Sequence, residues 1–192
     1  FLTLGTNHVY ILNETGEIVD NCMKKPQKLF TEKILSTDEC YNYLRKAVMR
    51  LMSKNRNIKI IVTVSPIRYR KYGYHESQLS KATLLLAADK LTKEEHVDYF
   101  PAYEILNDEL RDYRFYKEDM LHPSDQAVEY IWERFAETYF GNDTKEFLNE
   151  WKPIKEGLNH KPFNPESEDY KKFINDVTNK YDSFAKKWGI TK

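Results

Sequence analysis

Ile58-Lys59-Ile60-Ile61-Val62-Thr63-Val64 is the stretch that decides how this chain folds. Every residue in it except Lys59 is β-branched, which favours strand over helix. The apolar run is almost continuous instead of alternating, so it predicts a central parallel strand covered on both faces. Ser65-Pro66 closes it. On its N-terminal side, Tyr41, Leu44, Val48, Leu51 and Met52 recur at helical spacing. Ser36 or Thr37 supplies the cap, Asp38 and Glu39 suit the first turn, and Asn55-Arg56-Asn57 ends the helix. On its C-terminal side, a tyrosine-rich loop over 67–75 leads into a helix over about 76–93. A shorter strand is expected over 97–103, then a turn or two of helix over 104–111.

Further out, Phe1-Leu2-Thr3-Leu4-Gly5-Thr6 reads as a buried strand. Val9-Tyr10-Ile11-Leu12 and Glu17-Ile18-Val19-Asp20 flank Asn13-Glu14-Thr15-Gly16 as a β-hairpin. The polar stretch 24–33, with Pro26, reads as loop. Past 111 come a loop and a helix over 124–140. Alternating strand and helix give an α/β fold with a parallel sheet, of which this chain holds three strands. A natural domain rarely begins inside its core, so the expectation is that a preceding segment completes this one. The domain is expected over 1–140. A helical extension over 141–192 is expected to pack on it, with Trp151-Lys152-Pro153 and 160–165 as loops. Its last helix, 170–188, carries Tyr170, Phe173, Ile174, Val177, Tyr181 and Phe184 on one face.

Charge narrows the function classes. Lys+Arg and Asp+Glu both total 30, and no basic stripe stands out, which argues against a nucleic-acid partner. No apolar run approaches a membrane span. Cys22 and Cys40 match no metal or redox spacing and read as free thiols, favouring a reducing compartment such as the cytoplasm. The 14 tyrosines suit aromatic-lined clefts.

Open α/β sheets bind ligands at the carboxyl ends of their strands. Three loops leave such ends, and the chemistry-bearing residues lie on them. Asp119 stands three residues before His122, with Pro123 and a helix behind. On one short turn the carboxylate can hold one imidazole nitrogen and leave the other free to take a proton from a nucleophile. Gly5 permits close backbone approach, and Asn7 could aim an amide at a developing oxyanion. Arg68, just past the central strand, could clamp a substrate carboxylate or phosphate. Arg111, Arg114 and Tyr116 could line or brace the same cleft. Ser65 lacks the Gly-x-Ser-x-Gly surroundings of a nucleophile. His8, His75, His96 and His160 show no metal-ligand spacing, so no metal site is expected.

Leu4-Gly5-Thr6, Glu14-Thr15-Gly16-Glu17, Thr63-Val64-Ser65-Pro66-Ile67-Arg68 and Ser80-Lys81-Ala82 resemble the GSCFA family. So do Asp98-Tyr99-Phe100-Pro101-Ala102-Tyr103-Glu104-Ile105 and Asp108-Glu109-Leu110-Arg111-Asp112-Tyr113-Arg114-Phe115-Tyr116, running on into Asp119-Met120-Leu121-His122-Pro123-Ser124. That family is similar to the SGNH (GDSL-like) hydrolases. The resemblance implies a flavodoxin-like α/β/α sandwich, with Asp119 and His122 as the last motif of a serine esterase. It also implies a nucleophilic serine in the Gly-Ser-Cys-Phe-Ala segment, which this chain lacks. Gly5-Thr6-Asn7-His8 keeps the Gly and Asn of the oxyanion motif but has His8 where that motif has Asp. The implied substrate is a small acyl or acetyl ester, carbohydrate-linked esters included, and no cofactor is required. An O-acyltransferase would use the same residues with an alcohol as acceptor. A non-catalytic binding module on the same scaffold is the third alternative.

Overall fold

The computed structural model describes residues 1–19, 22 and 24–190. The chain forms two compact units, Phe1–Trp132 and Glu133–Lys192.

The first unit is α/β, with the architecture of a flavodoxin-like sandwich. Strands β1 (Leu2–Leu4), β5 (Ile60–Val64) and β6 (Val97–Tyr99) form a parallel sheet in the order β1-β5-β6. Leu2 pairs with Val62, and Val62 pairs in turn with Tyr99, so the expected strand is the central one. Both crossovers step in the same direction, which puts helices α1 (Thr37–Lys54) and α2 (Tyr74–Leu91) on one face. There Ile60, Val62 and Val64 meet Cys40 and Val48 of α1 and Leu84, Ala87, Ala88 and Leu91 of α2, all buried. Burial of the Cys40 thiol pushes it up to about 11, as expected of a packing cysteine. Ser36 caps α1 through a full capping box with Glu39.

Between β1 and α1 a second, antiparallel sheet intervenes. It comprises β2 (His8–Leu12), β3 (Ile18–Val19) and β4 (Phe30–Ile34), in the order β3-β2-β4. Gly16 takes the left-handed conformation that the hairpin turn requires, at φ 70°. Asp20, assigned to the hairpin from sequence, lies outside the described residues. Strand β4 corrects the reading of 24–33 as loop. Thr31, Glu32 and Lys33 pair with β2 through the backbone while their side chains face solvent, so composition there carries no apolar signal.

Strand β6 is shorter than expected. It ends at Tyr99, and a short helix α3 (Ala102–Glu104) runs directly into a π-helical segment, Ile105–Leu110. Helix α4 spans Asp125–Tyr139.

The second unit contains α5 (Asn142–Leu158) and α6 (Glu168–Trp188). Pro153 lies inside α5, which corrects the reading of 151–153 as loop. Proline in a helix interior costs about 3 kcal/mol. Here Trp151 stacks on Phe184 at 5.5 Å and Ile154 is buried, which offsets that cost. Ser167 caps α6, and Gly189 ends it in the left-handed conformation. The two helices approach closely at Gly157, where an added Cβ would meet Val177 Cγ2 at 2.7 Å. Gly157→Leu is therefore expected to lower the unit's stability by about 1–3 kcal/mol in thermal unfolding. Adding Val177→Ala should restore most of that loss. A loss that Val177→Ala leaves unrelieved would place the clash elsewhere.

Among the described residues no helix is long and apolar enough to cross a membrane. Nor do any three His, Cys, Asp or Glu side chains converge as metal ligands would.

Candidate active site

Residues 116–123 form a closed loop after the π-helical segment. Tyr116 and Pro123 pair as an antiparallel bridge. Lys117 N–H donates to His122 O (2.8 Å), and Ser124 N–H donates to Phe115 O (2.7 Å). Below the loop lie Phe115, Leu106 and Ala127, all buried. Ser124 Oγ accepts from Ala127 N–H at the start of α4, so the loop's exit is also a helix cap. Met120 takes a left-handed conformation at φ 60°, which tightens the turn between Asp119 and His122.

Asp119 organises this loop with both carboxylate oxygens. Oδ1 accepts from the backbone N–H of Leu121 (2.8 Å) and of His122 (3.0 Å). Oδ2 faces His122 Nδ1 at 2.5 Å. Short polar side chains favour this turn because the carboxylate replaces a backbone acceptor. The His122 N–H, then the Leu121 N–H, then the imidazole hold the carboxyl down to about 2. A carboxyl lowered by the fold stabilises it above the ordinary carboxylate value of 3.8. That stabilisation is lost as pH falls through about 2. Carbon-13 NMR of the Asp119 carboxyl should give a midpoint near 2, and a midpoint at 4 or above would mean the three donors are not in place. The imidazole is half exposed, and among the described residues nothing bonds to its Nε2.

Arg68 docks the loop against the segment that follows β5. Its N–H donates to Leu121 O (3.2 Å), and a guanidinium nitrogen donates to Met120 O at a long 3.4 Å. The guanidinium lies over Tyr116 at 4.2 Å and Tyr113 at 5.3 Å. Tyr116 thus lies with Arg68 at the base of the loop that carries Asp119 and His122. Two clefts open around Arg68. One, about 420 Å³, is lined by Arg68, Tyr74, Ser77, Gln78, Tyr113 and Met120. The other, about 210 Å³, adds Asn107, Arg111, Asp112 and Tyr116 to Arg68 and Tyr113. Arg114 lines neither: it lies beside the Phe115 ring at 4.9 Å, and Arg111 takes the place beside the cleft.

Gly5 and Asn7 stand at the carboxyl end of β1, where a buried cation ties the strands together. Lys81 Nζ donates to Gly5 O (2.6 Å) and to Ser65 O (2.7 Å), joining the ends of β1 and β5. Burial pushes this ammonium down to about 8. Lys81 falls on the inward stripe of α2 with Ser77 and Leu84, and a lysine in that stripe was the signal the sequence reading passed over. An added Cβ on Gly5 would lie 2.5 Å from Tyr69 Oη, so the glycine makes room for the phenol. Asn7 is buried. Its Nδ2 donates to Leu35 O (2.7 Å), and its backbone N–H donates to Ser80 Oγ (3.0 Å). One N–H of its amide is therefore engaged by the backbone just before α1.

The sequence model of the GSCFA family matches residues 1–135, and that of the GSCFA domain protein, C-terminal domain, matches residues 151–189. No curated protein and no solved structure matches the chain.

Proposed function

This chain belongs to the GSCFA family, and from that premise we propose that Asp119 and His122 are the carboxylate and base of a serine-type esterase. The observation that carries this reading is the pair itself: Nδ1 held at 2.5 Å by Oδ2, with Nε2 unbonded among the described residues on a half-exposed ring.

That arrangement suits acyl transfer. With Asp119 accepting the Nδ1 proton, the neutral imidazole keeps its lone pair at Nε2. Nε2 takes the proton of a serine hydroxyl as the oxygen attacks the ester carbonyl. The resulting imidazolium is stabilised by Asp119, which stays anionic because of its backbone donors. His122 then passes the proton to the departing alkoxide, leaving an acyl-serine that water hydrolyses by the same steps. The family resemblance implies that this serine belongs to a Gly-Ser-Cys-Phe-Ala segment. The Asn7 amide is engaged by Leu35, so the reading gives Asn7 a structural role and assigns the oxyanion to other N–H donors. The substrate class is a small acyl or acetyl ester, with esters of carbohydrates favoured by the tyrosine-lined clefts.

Acyl release by the intact polypeptide from a panel of acetyl and longer acyl esters, with and without a sugar acceptor, tests this. Free acid as the product supports the esterase. A transacylated sugar identifies the acyltransferase alternative. Neither product at any ester leaves the scaffold as a binding module.

A further inference from the structure

We propose, resting on the esterase reading, that the alcohol part of the substrate is an anionic sugar, whose carboxylate or phosphate is held by Arg68 and Arg111. Both arginines line the smaller cleft beside the loop of Asp119 and His122, and Arg68 also lines the larger one. Two other arginines have carboxylate partners: Arg45 pairs with Glu94 at 2.7 Å, and Arg134 with Glu137 at 3.0 Å. Among the described residues, neither Arg68 nor Arg111 has a carboxylate within ion-pair reach. The one acidic residue of that cleft, Asp112, turns Oδ1 to the Arg114 backbone N–H at 2.8 Å. The chain as a whole is charge-balanced, 30 against 30, while this cleft sets two arginines against the single carboxylate of Asp112, a local excess of positive charge.

The backbone supports the same reading. Arg111 ends the π-helical segment in a left-handed conformation, φ 46°, a position that favours glycine over a long side chain. Both features are costly and cluster at binding sites. A planar fork of donors fits a carboxylate or phosphate in bidentate fashion. The flanking rings supply the rest. Tyr113 and Tyr74 are both more than half exposed at the mouth of the larger cleft, where they offer an apolar face and a hydroxyl to a sugar ring.

The test combines turnover with equilibrium binding. In the intact protein, kcat/KM is compared for O-acetylated methyl galacturonoside, O-acetylated glucose 6-phosphate and O-acetylated methyl galactoside. At least one anionic ester should exceed the neutral one by about tenfold or more, and which of the two does so separates carboxylate from phosphate recognition. Arg111→Gln should reduce the anionic-to-neutral ratio about tenfold, mainly through KM. In parallel, calorimetric titration with galacturonate and glucose 6-phosphate should show saturable binding of the preferred anion. That binding should weaken in Arg111→Gln and at high salt, with galactose binding more weakly. Ester turnover with no anionic preference, and a ratio unmoved by Arg111→Gln, would overturn the anion subsite and leave the esterase standing. Anion binding that depends on Arg111 without turnover of any ester would do the reverse. Absence of both would remove both.

Discussion

Asp119→Asn in the intact protein is expected to lower ester turnover by about 10⁴-fold while leaving the fold intact, equivalent to roughly 5 kcal/mol of transition-state stabilisation. An asparagine Oδ1 can still accept from the Leu121 and His122 N–H groups that shape the turn. Its NH₂ group, however, then faces Nδ1. The imidazole must turn that nitrogen into an acceptor, which puts its proton on Nε2 and removes the base. His122→Ala should lose at least as much, because no other side chain among the described residues meets Oδ2 of Asp119. Circular dichroism and melting temperature should stay near wild type in both variants, since Asp119 and His122 are solvent-facing. A turnover loss below tenfold in Asp119→Asn would show that the tautomer is not set by this contact.

Phe115→Ala should have the largest effect on stability of any change near the site. Phe115 is 7% exposed and packs with Leu106 and Ala127, which are 1% and 0% exposed. Removing a buried phenyl ring costs about 3–5 kcal/mol, a large share of the stability of a domain this size. The loss should also reach the chemistry. Phe115 O accepts from Ser124 N–H, and the Tyr116–Pro123 bridge begins one residue later. A cavity here loosens both ends of the dyad loop, so activity should fall even at temperatures where the variant remains folded. Phe115→Leu, which keeps most of the volume, should recover much of both. Equal losses of activity in Phe115→Leu and Phe115→Ala would mean that the ring itself, and not the packing beneath the loop, is required.

Much of this was legible from residue patterns. The β-branched run around Ile60 and Val62 identified the central strand, because a parallel strand buried on both faces needs no alternation. The Ser36 cap and the spacing of Val48 located α1, and Ser167 with Val177 and Phe184 located α6. Asp119 and His122 were readable because a turn three residues long fixes their separation almost by itself. Other features escaped for physical reasons. Strand β4 is held by backbone pairing to β2, and its side chains face water, so its polar composition mimics a loop. Helix α5 continues through Pro153 because aromatic packing on α6 outweighs the local penalty. The inward turn of Asn7 depends on Leu35 O and Ser80 Oγ, partners 28 and 73 residues away that no local motif encodes. The π-helical form of Ile105–Leu110 escaped because the sequence signal there resembles an ordinary helical turn.

Covalent labelling of the intact polypeptide by a fluorophosphonate probe tests the central claim most directly, because it reads whether a hydroxyl is activated, whatever the ester. If the imidazole beside Asp119 serves as the base, one serine should be labelled stoichiometrically, and labelling should vanish in His122→Ala and drop sharply in Asp119→Asn. An unlabelled wild-type protein, or labelling indifferent to His122, would contradict the account.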